Sequence, residues 1–306
     1  MSTVRFDKPA KTIDEQLALL RERGMVIDDA DSARRDLAHL NYYRLTAYWL
    51  PFESSHAPHA FKQGTRFEDA LNLYLFDRNL RLLVLDAIAR TEISLRTQWA
   101  YQLAHRHGPH AYLDRDLAHR VDWWQHNLEH LREEVDRSDE IFVKHYRDKY
   151  DKPDLPPVWA VCEVMSLGTL SRWYTSLKPK KTRSAIASTY GLDERVLQAF
   201  IRHLTYIRNV CAHHGRLWNR EFTVTMQLPR SKPPGLVASF HDGGNRRIYN
   251  TLVMLVWMLG RIHPGNSWKT RLLDLIRRHG IDPVDMGFPD DYAARAIWQP
   301  AQAAVP

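Results

Sequence analysis

The chain has 306 residues, 44% of them apolar, enough to bury a sizeable core in one large domain or two. Lys and Arg number 43 against 36 Asp and Glu, a formal charge of +7, so polyanions are the partners that long-range electrostatics favours, and RNA the first of them. The two cysteines, Cys162 and Cys211, are too few for a disulfide framework or a cysteine-rich zinc site. The first residues lack the apolar run of a signal peptide, and the longest apolar stretch, Thr251 to Leu259, falls far short of the roughly 20 residues that span a bilayer, so a soluble cytoplasmic protein with no membrane partner is expected.

Glycine is scarce, 13 in all, and Leu, Ala, Arg, Glu and Gln recur, so the expected fold class is all-α. The 10 Trp and 13 Tyr supply core area or stacking surfaces for bases, with core the default use. Each of the 16 His can gain a proton near pH ~6–7, which makes the surface more cationic on mild acidification.

In chain order, Thr12 and Glu15 form a capping-box pair that opens a helix with Ile13, Leu17 and Leu20 on one face, and Gly24 ends it. A second helix is expected from Asp31 or Ser32. Asn41 to Arg44 then leads an aromatic stretch up to Pro51, followed by a loop rich in His, Pro and Ser from Glu53 to Thr65. Phe67 to about His105 repeats Leu and Ile at three- and four-residue intervals, as one long helix or two nearly continuous ones, until Gly108-Pro109 breaks it. Residues 114–150 read as charged helix anchored by Trp123, Trp124 and Phe142. Pro157 opens a helix to Ser166, with Gly168 just past it, and further helices pass through Trp173 and Leu177 and from Lys181 to Tyr190.

Asp193 caps the next helix. The segment from Phe222 to Gly244 is the least helical, and the alternation of Val224, Met226 and Leu228 allows one short strand or hairpin. Tyr249 to Ile262 and Trp268 to His279 close the helical part. No internal repeat, low-complexity tract or clear linker interrupts the chain, so one unit is expected over residues 1–306. Its core covers about 66–263, preceded by a helical extension, 1–65, and followed by helices in 264–306.

The helix capped by Asp193 carries Leu197, Ile201, Leu204, Ile207 and Cys211 on one apolar stripe. Asn209 and His213, four residues apart, share another face, and Arg208 lies about 40° from Leu204, as a half-buried cation at the edge of the stripe. An arginine there is costly unless it meets an anion or a carboxylate. The trio suits RNA cleavage without a metal. The histidine takes a proton from a ribose 2′-OH or gives one to the departing 5′ oxygen, the arginine holds the scissile phosphate by two hydrogen bonds, and the amide orients either of them. One histidine does not serve as both acid and base, and a two-fold dimer would supply the second. The bare spacing is equally met by an arginine paired to a carboxylate beside a surface histidine.

The wider sequence adds to this. LTYIRNVCAHHGRLWNR, Leu204 to Arg220, resembles the signature of the Abi-like family, which includes the AbiD and AbiF phage abortive-infection proteins. Four further segments agree in order: KPAKTIDEQLALLRERGMVIDD, LAHLNYYRLTAYWLPF, FEDALNLYLFDRNLRLLVLDAIARTEISLR and LPPVWAVCEVMSLGTLSRWY. The resemblance implies a HEPN-like helical bundle with additional N- and C-terminal helices. It also implies a metal-independent endoribonuclease that halts growth on phage infection and works as a homodimer, with Arg208, Asn209 and His213 on the motif positions. It further implies a noncoding RNA as a regulatory partner, and neither cofactor nor metal.

His214, Arg216, Asn219 and Arg220 follow within two turns and are candidates for RNA contact or support of the site, against helix capping and ion pairing. Trp218 reads as core. Glu92 and Arg96 suit an intrahelical ion pair, and Glu92 alternatively orients Arg208 or His213, with Glu163 a second candidate for that task. Tyr42, Tyr43 and Arg44 either stack on RNA or begin a packed helix. Lys178 to Lys181 is a phosphate-binding loop or a solvated face. A non-catalytic RNA-binding or sensor module stands as the alternative reading. Nucleotidyl transfer has no glycine-rich phosphate loop or paired aspartates to support it.

Overall fold

Local side-chain chemistry starts the chain as a helix. The Thr12 hydroxyl accepts from the Glu15 N–H at 3.2 Å while the Glu15 carboxylate accepts from the Thr12 N–H at 2.6 Å, which satisfies two donors that the helix leaves open. The Thr12 N–H, with the Thr12 hydroxyl donating to the same oxygen at 3.0 Å, holds the Glu15 carboxyl below its ordinary pKa. The helix that Thr12 and Glu15 open is α1 (Ile13–Glu22), which buries Leu17 and Leu20 and ends as Gly24 takes a φ of +93°, a conformation open to glycine at little cost. Asp29 caps α2 (Ala30–His39), one residue ahead of the expected start, and Asn41 caps α3 (Tyr42–Trp49).

The structure is a computed structural model that describes residues 9–244 and 246–299. Among them are thirteen α-helices and one two-stranded sheet, an all-α fold. By its internal contacts the chain forms two units. One runs up to Asn79 and adds Leu275–Ile281, and the other comprises Leu80–Asp274 and the residues from Asp282 onward.

In the first unit, Leu17, Leu20, Leu37, Leu45, Trp49 and Phe67 form one buried cluster. The segment expected to be an open loop is instead a hairpin, β1 (Glu53–His56) paired antiparallel with β2 (His59–Phe61). Phe61 is buried in the cluster, and its N–H donates to the Arg23 carbonyl at 2.8 Å. Two strands this short show almost no alternation to read in sequence. The 41-residue α4 (Phe67–His107) is one unbroken helix that begins in the first unit and continues in the second. Gly108 ends it at a φ of +93°.

In the second unit, α5 (Val121–Asp136) and α6 (Ile141–Lys149) bury Leu131, Val135 and Val143. Of the expected anchors, Trp123 and Phe142 are exposed, and only Trp124 turns inward, its indole N–H donating to the Tyr112 carbonyl at 2.9 Å. The aliphatic residues at helical spacing fill the core and leave the two rings outside. In α7 (Val158–Val164) the chain again follows Pro157, but Ser166 caps the following helix by accepting from the Thr169 N–H at 3.1 Å. Gly168 therefore lies inside α8 (Leu167–Ser176) and not in a linker.

After α9 (Lys180–Ser188) comes α10 (Glu194–Ala212), whose buried face packs on α8 and α9. No strand forms among the described residues from Phe222 to Gly244, which hold only α11 (Pro234–Val237) and one 3-10 turn. The Val224 carbonyl accepts from His203 at 2.7 Å, a partner that a lone strand would not offer it. Then α12 (Tyr249–Ile262) is apolar and buried along most of its length, and α13 (Trp268–Arg278) completes the helices. Among the described residues no helix is long and apolar enough to cross a membrane.

Candidate active site at the C-terminus of helix α10

Asp193 fixes the start of α10, its carboxylate accepting from the Arg195 N–H at 2.8 Å. From there Leu197, Phe200, Ile201, Leu204, Ile207 and Cys211 are all buried, which orients the helix and sends the remaining face outward. Arg208, Asn209 and His213 lie on that outer side, all three exposed. Arg208 was expected as a half-buried cation; its long side chain instead extends from the edge of the stripe into solvent, which avoids the desolvation of a guanidinium. Its Nη1 donates to the Asn209 side-chain oxygen at 3.3 Å, so the cation and the amide form one polar surface.

The helix ends where the motif ends. His213 is the C-cap (φ −90°, ψ 18°), and its N–H still bonds the Asn209 carbonyl at 3.0 Å. His214 takes a left-handed φ of +56°; its N–H donates to the Cys211 carbonyl at 3.0 Å and the Gly215 N–H to the Val210 carbonyl at 2.7 Å. That is the reciprocal pair of a Schellman turn, with a histidine where glycine is the usual occupant. A helical wheel therefore misplaces His214, which has left the helix. Gly215 is needed for close approach rather than for its φ. A Cβ there would stand 3.1 Å from both the Val210 carbonyl oxygen and Val210 Cγ1. Gly215→Ala is thus expected to lower unfolding stability by about 1–2 kcal/mol and to disturb the His213 position, checked by thermal melting and by the His213 imidazole NMR signals.

The segment after the turn lies beside this end of α10. Asn219 has a φ of +48°, and its side-chain oxygen accepts from Arg247, whose Nη1 also donates to the Asp285 carbonyl at 3.0 Å. Arg220 is half-buried, close to Gly215 and to the phenol of Tyr206. Partial burial pushes that phenol up, but hydrogen bonding to Thr223 and the charge of Arg220 outweigh it, so Tyr206 sits below its ordinary pKa. Arg216 is half-buried, and Trp218 is core, as expected. Asn219 and Arg220 thus have structural partners, and the extended surface around the trio is set by them.

The other sequence candidates have partners of their own. Arg96 donates to the Glu92 carboxylate, to the Glu163 carbonyl at 2.9 Å and to the Met165 carbonyl at 2.5 Å. Glu92 therefore serves the intrahelical ion pair, and Glu163 meets the same arginine at 3.8 Å. Tyr42, Tyr43 and Arg44 stand on α3 in the first unit. Tyr42 packs edge-on against Trp49 at 4.9 Å and accepts from Arg23 at 3.1 Å, whereas Tyr43 and Arg44 are exposed. Lys178, Lys180 and Lys181 are exposed at the start of α9, and Lys180 lies 3.7 Å from the buried Glu194 carboxylate.

Sequence reasoning missed His203. It is buried between Phe200 and Ile207 on the stripe, its Nδ1 2.7 Å from the Val224 carbonyl and its Nε2 2.7 Å from the Thr251 hydroxyl. A histidine three and four residues from two apolar stripe members carried that signal. Burial holds its pKa down at about 4.

Compared with known proteins, the model of the family described as Abi-like protein matches residues 35–219, more than half of the 306, and that span includes the whole of α10 and its terminal turn. No curated protein and no solved structure matches the chain. With three of the family segments and the Arg208–His213 motif on one match that covers more than half of it, the chain belongs to the Abi-like family.

Proposed function

We propose that this protein is a metal-independent endoribonuclease of the HEPN type, acting in abortive infection with Arg208, Asn209 and His213 as its active site across a homodimer. The observation that carries this reading is the exposed Arg208–Asn209 pair, held one turn before His213 on a helix whose end is fixed by the His214–Gly215 turn. In the reaction, the ribose 2′ oxygen attacks the adjacent phosphorus and the bond to the 5′ oxygen breaks, leaving a 2′,3′-cyclic phosphate and a 5′ hydroxyl. Arg208 holds the two non-bridging oxygens, whose charge grows in the transition state. One imidazole removes the 2′ proton, and the second copy's imidazole protonates the 5′ oxygen.

The exposure of all three side chains also favours a covering partner. A guanidinium–phosphate contact in open water is weak, and it strengthens when a second chain and the RNA exclude solvent. Purified protein incubated with mixed RNA in chelator is expected to cut it, and an Arg208→Ala/His213→Ala double variant to leave it intact. Equal integrity with both proteins, after stripping any co-purified RNA, contradicts the reading. If His213→Ala remains toxic in cells and still binds RNA, the protein acts instead as a non-catalytic RNA-binding module.

A further inference from the structure

The β1–β2 hairpin gathers three metal-ligating side chains. We infer that Glu53, His56 and His59 form a binding site for one divalent transition-metal ion of the zinc, cobalt(II) or nickel(II) class, made of none of the Arg208 site's residues and independent of its reading. Their ligand atoms all lie within 4.8 Å of one another. Both imidazoles aim Nδ1 at the same carboxylate oxygen, Glu53 Oε2, with His59 at 3.1 Å and His56 closer.

Three features make this more than a surface cluster. Glu53 and His56 are three apart, so a regular strand would send them to opposite faces. The pairing slips between Glu53 and Ser55, and this bulge turns both side chains to one side. Second, the Glu53 side chain is only 1% exposed, yet the cations it meets are imidazoles, which carry charge only when protonated. A buried carboxylate with two imidazole nitrogens converging on one of its oxygens is arranged to share an ion with them, and an ion among the three ligand atoms would offset its charge. Third, the ligand chemistry fits the metal class. Ligand atoms on a tetrahedral ion with bonds of about 2.0–2.1 Å stand about 3.3 Å apart, within a few tenths of an ångström of the His59–Glu53 separation. Two nitrogens and one oxygen suit borderline ions better than calcium or magnesium, and three protein ligands leave a fourth position for water.

The test is a titration of the full chain, first freed of metal by chelator, with Co²⁺ followed through its visible absorption and by equilibrium dialysis. Wild type is expected to bind one Co²⁺ per chain tightly, with the intensified absorption of a four- or five-coordinate ion, and to release it to Zn²⁺. Glu53→Gln is expected to weaken this binding at least about 10-fold, and His56→Ala/His59→Ala to abolish it. Both histidines are exposed at the hairpin end, and the glutamine is isosteric, so metal-free circular dichroism and melting report whether each variant folds. Co²⁺ binding that is absent from wild type overturns the site, as does an identical spectrum and affinity in either folded variant.

Discussion

Alanine at His213 is expected to lower RNA cleavage by about 10²–10⁴-fold, and adding alanine at Arg208 to lower it little further. The first figure is the usual worth of a positioned acid or base. The second follows because groups that act in one step do not contribute additively. Stability should barely move in either variant, by about 0.5 kcal/mol or less, because both side chains are exposed and the turn that ends α10 is made of backbone bonds. Cleavage rates on a defined RNA, with melting curves beside them, check both parts. A variant that loses activity together with several degrees of melting temperature would report a folding defect and say nothing of chemistry. Losses that multiply, from His213→Ala to the double variant, would show that the two side chains serve separate steps.

Acid should destabilise the second unit through His203. Its folded pKa is about 4, held down by burial, against an ordinary value of 6.5. Below the ordinary value the unfolded chain binds a proton that the folded chain refuses. The stability this histidine contributes is therefore whole above pH ~6.5, falls as the pH drops toward about 4, and changes no further below that. The difference corresponds to about 3 kcal/mol at the lower end. The Val224 carbonyl can only accept, so Nδ1 carries the proton of the neutral ring and Nε2 accepts from Thr251. Burial also pulls His110 and His119 down, and each adds to the slope with the same sign, while His279, likewise lowered by burial, acts in the first unit. Denaturant unfolding between pH 7 and 4 is expected to show this decline, and His203→Gln a shallower one. Equal slopes in the two proteins would place the acid sensitivity elsewhere.

The motif and its helix were legible because they rest on local rules. The Asp193 cap, the apolar stripe from Leu197 to Cys211 and the glycine stops at Gly24 and Gly108 are all written within a few residues of where they act. What was missed depends on distant partners. The rings of Trp123 and Phe142 looked like anchors until Leu131, Val135 and Val143 filled the core. Val224, Met226 and Leu228 alternate as a strand would, but find no partner strand, and the Val224 carbonyl goes to His203. The hairpin was hidden for the opposite reason: its inward residues are one carboxylate and one phenylalanine, so no apolar alternation announces it. The exposed Arg208 shows the limit of wheel arithmetic for long side chains, whose charged ends need not follow their Cα.

The chemistry of the cut ends decides the central claim most directly. RNA cleaved in chelator by wild-type protein should carry 2′,3′-cyclic phosphate on the upstream fragment and a 5′ hydroxyl on the downstream one, and His213→Ala should yield neither. Cuts that bear 5′ phosphates, or cyclic ends that persist undiminished in His213→Ala, would contradict a reaction run by Arg208 and His213.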